Sequence, residues 1–129
     1  MSEKDLMALE EMRSVFREAD ELCRTNGVRF LVVFVPTTFR VYKNFVQFDP
    51  RGKPLYWVIN DLPMRLEAIV REESSDGFFL DLTPALTEEA SRGSLVYFAD
   101  DTHWSPAGHR VAATTIADSL MRWEKTAKR

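Results

Sequence analysis

Both histidines of the chain lie in one short stretch, residues 100–109, together with two consecutive carboxylates. Asp100 and Asp101 stand three and two positions before His103. A neutral imidazole can take a proton from a hydroxyl nucleophile, and a neighbouring carboxylate holds the ring in the required tautomer and stabilises the cation that forms. The stretch therefore offers His103 as a general base, with Asp101 or Asp100 to orient it.

Two other uses of these residues compete with that interpretation. The two aspartates and the two histidines, His103 and His109, could offer oxygen and nitrogen ligands to a metal ion, although their spacing matches no zinc signature and no second cluster accompanies them. The Asp-Asp-Thr sequence is also a favourable turn and cap, to which His103 could simply bond. On spacing alone we rank structure first, catalysis second and metal binding third. The catalytic use of His103 would need neither a metal nor an organic cofactor.

The stretch lies between a short apolar run and the last predicted helix. Residues 95–98 are predicted to form a strand, and Ser105 and Pro106 are residue types that cap and begin a helix. A loop between a strand and a helix is held by a rigid element at each end and stays accessible, as catalytic groups require. The apolar residues of the last helix recur on one face, at Ala112, Ile116, Leu120 and Trp123.

The rest of the chain alternates helices with apolar strands. Apolar residues at three- and four-residue spacing predict a first helix over residues 3–26. Residues 28–35 and 78–82 are predicted to be buried strands, because they are β-branched or aromatic with little polar alternation. Two further helices are predicted, one beginning after residue 60 or 61, and one running to about residue 92 with Thr83 as its N-cap.

This alternation predicts an α/β fold, with a parallel sheet between layers of helix. Three strands make a thin sheet for so many amphipathic helices, and one edge of the sheet should lack a partner. We therefore expect residues 1–129 to form a single domain that is part of a larger fold.

Residues 37–58 have no clear periodicity and include a loop rich in proline and glycine at residues 49–54. Four aromatic residues flank the loop, and we expect them to cover the edge of the sheet. The alternative is that they line a substrate cleft or a partner interface. These residues are Phe45, Phe48, Tyr56 and Trp57.

Composition limits the partners of this chain. It is 45% hydrophobic and 29% charged, with a net charge of −3, which is ordinary for a folded domain and argues against nucleic-acid binding. The longest apolar run, residues 30–36, is too short to span a membrane, and the acidic N-terminus is unlike a signal peptide. We therefore expect a soluble chain, and the sequence leaves its cellular compartment open. The one cysteine, Cys23, is expected to be buried rather than reactive.

Taken together, several segments resemble the C-terminal half of SGNH (GDSL-type) hydrolases, over most of residues 28–120. The nearest likeness is to the branch related to alginate O-acetyltransferases, which carries an Asp-x-His-Trp motif followed by a glycine. Here the motif is Asp101-Thr102-His103-Trp104, with Gly108 after it. Where that branch would have a lysine after Thr37, this chain has Thr38. The other matching segments are Val35-Pro36-Thr37, Val41-Tyr42, Leu62-Pro63 with Leu66, and residues 79–84, 96–98, 112–113 and 116–117.

The resemblance implies a three-layer α/β/α fold, of the SGNH or flavodoxin-like kind, of which this chain has the C-terminal part. It also implies a mechanism in which a serine attacks an ester carbonyl, a histidine acts as base and an aspartate orients the histidine. Carried onto this sequence, His103 is the base. Asp101 is the orienter under the Asp-x-His spacing and Asp100 under the Asp-x-x-His spacing of the wider superfamily; we favour Asp101, because Trp104 follows as in the nearer branch.

The family's nucleophile motif has no counterpart here. Most SGNH hydrolases carry a Gly-Asp-Ser motif after the first strand, and no serine of this chain stands in that context. Ser105 is near His103 but is better explained as a helix cap. We therefore expect the nucleophile to be absent from this chain and the isolated chain to be inactive or nearly so.

Three hypotheses follow, in order of preference. The first is an ester hydrolase or O-acyltransferase domain acting on an ester or O-acetylated substrate, for which a carbohydrate is one candidate, and completed by an N-terminal segment. The second is a non-catalytic SGNH-like module that binds carbohydrate or a protein partner. The third is a metal site formed by Asp101, His103 and His109. An unpaired sheet edge also predicts self-association or binding to a complementary fragment.

Overall fold

The structure, a computed structural model, describes residues 3–47, 49–52 and 56–127, with side chains up to residue 125. None of the helices in these residues is long and apolar enough to cross a bilayer. Helices and strands follow one another in the order α1 (Glu3–Thr25), β1 (Leu31–Phe34), α2 (Thr38–Tyr42), α3 (Leu62–Glu73), β2 (Phe78–Asp81), α4 (Thr83–Ser91) and α5 (Pro106–Ala127).

The two strands form a parallel pair. The amide of Phe78 donates to the carbonyl of Phe30, at 3.0 Å, and the amide of Leu82 donates to the carbonyl of Phe34, at 3.2 Å. The two bonds advance by four residues on both strands in the same direction, which is a parallel register. Helices connect and follow the strands, so the α/β class predicted from the sequence is confirmed.

The chain divides into two compact units, the first formed by Met1–Val33 and Asn60–Leu80. Its core is a cluster of Phe16 from α1 with Ile69 and Val70 from α3, and Phe30 meets Phe16 edge-on with ring centroids 6.2 Å apart. Helix α1 ends at Thr25, and Gly27 follows with a φ of +66°, the left-handed conformation of a C-terminal cap. The further side chains packed on this cluster are Leu9, Val32, Leu66 and Phe79.

Ion pairs join α1 to α3 in the same unit. The Arg13 guanidinium lies 2.6 Å from the Glu72 carboxylate and 2.7 Å from the Glu73 carboxylate, and Arg17 lies 2.7 Å from Glu73. The hydrogen bonds from Arg17 and Arg13 lower the pKa of Glu73 to about 2. Because the folded pKa is depressed, the stabilisation is present above the ordinary pKa of a glutamate and is lost as the pH falls towards 2.

The apolar stripe of α1 is only partly used. Phe16 is buried, whereas Leu6 and Leu22 are 54% and 67% exposed. Cys23 is half-buried, so the predicted burial of its thiol is reached only in part. Periodicity marks which face of a helix is apolar, but how much of that face is covered depends on the elements packed against it.

The second unit consists of Phe34–Ile59 and Asp81–Arg129. In it, α4 packs against α2 and α5. The start of α4 differs from the predicted cap at Thr83. Thr83 is the first residue of the helix, and Leu82, at the N-cap position, makes no side-chain cap bond. The carboxylate of Asp81 accepts the Thr83 N–H at 2.8 Å. The fully buried side chains of this unit are Pro36, Val41, Leu82, Leu86 and Val96.

The predicted third strand at residues 95–98 is wrong. Among the described residues this segment makes one isolated antiparallel bridge, between Tyr97 and Trp104, and has no place in the sheet. Val96 and Tyr97 are buried, at 0% and 3% exposure, which is what their apolar character correctly indicated. Burial is a property of the side chains, whereas strand pairing needs a neighbour for the backbone, and here that neighbour is the following loop.

Candidate active site

The segment at residues 95–105 folds back on itself as a small hairpin. The amide of Ser105 donates to the carbonyl of Val96 and the amide of Phe98 donates to the carbonyl of His103, both at 3.0 Å. These bonds flank the bridge between Tyr97 and Trp104. The turn at residues 99–102 therefore presents Asp101 and His103 together. We call residues 95–105 the site hairpin.

His103 and Asp101 form a direct pair on this turn. His103 Nδ1 lies 2.5 Å from Asp101 Oδ1, and the same oxygen accepts the backbone N–H of His103 at 3.1 Å. The hydrogen bond from the His103 ring, followed by that from its backbone, lowers the pKa of the Asp101 carboxyl. An ionised carboxylate only accepts hydrogen bonds, so the proton of the neutral ring belongs on Nδ1 and the lone pair on Nε2.

The His103 side chain is 80% exposed and that of Asp101 47% exposed. In the part of the chain that the structure describes, no protein group bonds to Nε2 of His103. A fixed Nδ1–H and an accessible Nε2 are what a general base requires.

Asp100 takes no part in this pair. Its side chain is exposed, and the described residues of the turn show no bond between it and His103. Of the two aspartates predicted as alternative orienters, the structure brings Asp101 to the ring and leaves Asp100 at the exposed surface.

Ser105 is the cap of α5, as predicted. Its hydroxyl oxygen accepts from the amides of Ala107, at 3.1 Å, and Gly108, at 3.3 Å, and its own proton goes to the carbonyl of Leu95, at 2.5 Å. The side chain is buried and its hydrogen-bonding capacity is used. Ser105 therefore serves the backbone of the site hairpin and is not available to His103 as a nucleophile.

Gly108 allows α5 to approach the site hairpin. A Cβ at this position would lie 2.0 Å from the carbonyl oxygen of Val96 and 3.1 Å from Cβ of Trp104. Since a backbone carbonyl cannot turn away as a long side chain can, any larger residue would push the helix off the hairpin. The close approach of the helix to the site hairpin thus requires glycine at this position after the Asp-x-His-Trp motif.

The other histidine lies elsewhere. The ring of His109 meets Trp104 edge-on, with centroids 5.5 Å apart and planes at 88°. Across the residues described, no group of three or more His, Cys, Asp and Glu side chains is placed to hold a metal ion. The metal hypothesis built on Asp101, His103 and His109 therefore lacks a ligand set in this arrangement.

No serine of the second unit is placed as a partner for His103 among the residues described. Ser91 and Ser94 donate to Glu88 and Glu89, and Ser119 is buried in α5. With Ser105 used as a cap, the structure brings an imidazole and a carboxylate together without a serine beside them.

Tyr42 bonds to the backbone of the site hairpin, which the sequence analysis did not predict. Its hydroxyl accepts the amides of Val96, at 2.7 Å, and Tyr97, at 3.2 Å, while the Tyr97 hydroxyl donates to the carbonyl of Pro36 at 2.5 Å. The Tyr42 and Tyr97 rings meet edge-on at 6.2 Å. The only signal in the sequence was that Val41-Tyr42 and Val35-Pro36 belong to the segments that resemble the family.

The aromatic residues at positions 45–57 are largely exposed. Trp57 packs edge-on against Phe39 at 5.2 Å but is 53% exposed, and Tyr56 and Phe45 are 82% and 45% exposed. They do not form the buried cover over the sheet edge that was expected. Phe48 lies outside the described residues.

Known proteins that are similar to this chain support the family resemblance of its sequence. Residues 2–129 match the family model ALGX, described as the SGNH hydrolase-like domain of the acetyltransferase AlgX. The chain is 27% identical over 114 residues to the probable alginate O-acetylase AlgJ of Pseudomonas putida, covering 88% of this chain and 28% of that protein. It is 29% identical over 108 residues to the alginate biosynthesis protein AlgX of the same species, covering 81% of this chain and 22% of that protein.

The chain spans about a quarter of the length of these curated relatives. No solved structure matches it significantly. The family model, however, extends over nearly the whole chain and includes the site hairpin. The family suggested by the Asp-x-His-Trp motif is confirmed: the chain belongs to the SGNH hydrolase-like domains of the AlgX acetyltransferase family.

Proposed function

We propose that this chain supplies the base and the orienter of an SGNH-type acyl-transfer site, with His103 as base and Asp101 as orienter. The observation that carries the proposal is the 2.5 Å contact between His103 Nδ1 and Asp101 Oδ1, on a turn where the ring is 80% exposed. The contact directs the ring lone pair to Nε2, the nitrogen that would meet a nucleophile. Asp100 has no part in this site.

The chemistry is that of a serine acyl transfer. Nε2 of His103 takes the hydroxyl proton of a serine as its oxygen attacks the ester carbonyl, and then gives that proton to the departing alcohol. In the second half, Nε2 takes a proton from water or from an acceptor hydroxyl as its oxygen attacks the acyl-serine, and gives that proton to the serine oxygen as the bond between this oxygen and the acyl carbon breaks. Asp101 stabilises the imidazolium present in both halves, and the reaction needs no metal or organic cofactor in this chain.

The nucleophilic serine, in this proposal, comes from a segment outside these 129 residues. Two observations support it. The sequence holds no Gly-Asp-Ser motif, and the serines of the second unit are a helix cap (Ser105), a donor to the Glu89 carboxylate (Ser94) or residues within helices (Ser91 and Ser119). The same segment is the partner we propose for the unpaired edge of the sheet.

The names of the relatives suggest the substrate class. One is called a probable alginate O-acetylase and the other an alginate biosynthesis protein. We propose an acetyl ester as the acyl donor and a polysaccharide hydroxyl as the acceptor, with hydrolysis when water takes the acceptor's place.

The test uses p-nitrophenyl acetate with two proteins, this chain and the chain extended by the flanking coding sequence of its gene. We expect background hydrolysis by the former, and turnover by an extended chain that carries the serine. In the extended chain His103→Ala should lower kcat by on the order of 10⁵-fold and Asp101→Asn by on the order of 10⁴-fold. His109→Ala and Asp100→Asn are the matched controls and should leave kcat within about threefold of the parent, since neither bonds to the base.

Two outcomes would contradict the proposal. Hydrolysis by the 129-residue chain that disappears on His103→Ala would show that the nucleophile lies within it. Turnover by the extended chain that is indifferent to His103→Ala would remove the histidine from the mechanism.

A second candidate function is a non-catalytic module that binds carbohydrate or a protein partner. The exposure of Tyr56, Trp57 and Phe45 supports it, because aromatic faces are favoured surfaces for sugars and for protein partners. A flanking sequence without a serine motif, combined with binding of alginate oligosaccharides that is lost on Trp57→Ala, would favour this function. Light scattering at several concentrations would show whether the partner is a second copy of the chain.

A further inference from the structure

The hydroxyl of Tyr42 bonds to the backbone of the site hairpin from a distant part of the sequence. Tyr42 is the last residue of α2, and the hydroxyl receives the amides of Val96 and Tyr97 at 2.7 and 3.2 Å. Its position is set by its neighbour Val41, which is 1% exposed, and by Thr37, whose hydroxyl oxygen accepts the amide of Arg40 to cap the helix. The hydroxyl is therefore held by a packed helix turn and not by a free loop.

The two amides need this acceptor. Val96 and Tyr97 are buried, and the segment has no place in the sheet where a neighbouring strand would receive their N–H groups. A buried amide without an acceptor is strongly unfavourable, because its bond to water is lost and not replaced. One phenol oxygen with two lone pairs replaces what a neighbouring strand would supply.

The same segment is also bonded to residues on the far side of the turn that carries the catalytic pair proposed above. The carbonyl of Val96 accepts the amide of Ser105, and the amide of Phe98 donates to the carbonyl of His103. Residues 96–98 are thus bonded both to Tyr42 and to residues 103 and 105. Any shift of the segment moves the backbone of His103, whose N–H also bonds to Asp101 Oδ1.

We propose that Tyr42 is a positioning residue of the acyl-transfer site, its hydroxyl holding the site hairpin in the arrangement that brings His103 onto Asp101. It touches neither the base nor the orienter and acts through the backbone of Val96 and Tyr97. The role as a site residue rests on the proposed function, whereas the mechanical link to the Asp101–His103 contact does not.

The test is amide hydrogen exchange and proton NMR on this chain, comparing Tyr42→Phe with the parent. The variant keeps the ring and removes only the acceptor. We expect exchange at Val96, Tyr97, Phe98 and Ser105 to become at least about tenfold faster. The low-field Nδ1–H signal of His103, which marks its bond to Asp101, should broaden or disappear.

Tyr56→Phe is the matched control. It removes the same atom from a tyrosine that is 82% exposed, and it should change neither readout. Amides of Ile69 and Val70 in α3, measured in the same samples, separate a local effect from general destabilisation, because the latter would speed their exchange as well.

Unchanged exchange at Phe98 and Ser105 with an intact Nδ1–H signal in Tyr42→Phe would overturn the proposal. If the variant does not fold, amide exchange in the unsubstituted chain is the test. Unprotected Val96 and Tyr97 amides there would show that Tyr42 does not hold them. A loosened hairpin in this chain, together with an extended chain whose turnover ignores His103→Ala, would contradict the proposed function and leave the positioning of the hairpin standing.

Discussion

The start of α5 and the segment just before the turn lie within a dozen residues of each other, yet they follow different rules. Ser105 and Pro106 begin the helix as their residue types predict, because a cap is made between residues two and three positions apart. Residues 95–98 have the residue types of a buried strand and form a hairpin edge instead. A cap can be predicted from the residue types that make it, whereas the residue types of a strand do not specify which backbone it pairs with.

Gly108→Ala is expected to have the largest effect on the free energy of unfolding. The new Cβ would meet the Val96 carbonyl oxygen at 2.0 Å, so α5 and the site hairpin must separate. We expect a loss of about 3 kcal/mol in the free energy of unfolding, measured by urea denaturation.

Gly93→Ala is the control for that change. Gly93 has a φ of +91°, but a Cβ at this position would have no neighbouring atom within 4 Å. Its expected cost of about 1 kcal/mol is therefore conformational and not steric. Equal losses at the two glycines would show that the close approach of α5 to the hairpin is not needed.

A second test asks whether residues 95–98 are covered on one side or on both. Val96 is fully buried and Leu95 is 63% exposed. We expect Val96→Ala to lower the free energy of unfolding by about 2 kcal/mol, and Leu95→Ala by less than about 0.5 kcal/mol. Similar losses at both positions would show that the segment is covered on both faces, as the sequence pattern predicted.

The cap of α5 gives a smaller effect. Ser105→Ala removes the acceptor of two amides and the donor to the Leu95 carbonyl, and we expect a loss of about 1.5 kcal/mol. Ser91→Ala, which removes an exposed hydroxyl bonded to the Glu88 carbonyl, should stay within about 0.5 kcal/mol of the parent in the same denaturation experiment. A neutral Ser105→Ala would mean that Pro106 alone begins the helix.

The smallest effect on stability is expected at the proposed catalytic pair, where the informative quantity is a pKa. The hydrogen bond from His103 lowers the pKa of Asp101, so the pair contributes stability above the ordinary aspartate pKa and loses it as the pH falls below about 4. His103→Ala should raise the Asp101 pKa towards its ordinary value, as followed by carboxyl carbon NMR, while the backbone N–H of residue 103 keeps part of the lowering. His109→Ala should leave it unchanged, and a shift in that variant would place the second histidine at the site.

The sequence predicted much of the site and less of its surroundings. The Asp-x-His-Trp motif led to Asp101 and His103, and the structure places them in contact. The role of Tyr42 could not be predicted, because it depends on a hydroxyl meeting two amides 54 and 55 residues away in the chain. The extent of burial along α1 could not be predicted either, because Leu6 and Leu22 share the apolar stripe of Phe16 but remain exposed.

The positions of most helices, the α/β class, and a histidine preceded by two candidate carboxylates could be read from the sequence. These features depend on periodicity, capping and short loops, which act between neighbours in the chain. The structure was needed to show that Asp101, not Asp100, meets the ring, that residues 95–98 pair with the loop after them, and that Tyr42 bonds to this hairpin. The first two depend on how one turn folds, which residue types alone do not specify. The third depends on packing, which brings a distant hydroxyl to two buried amides.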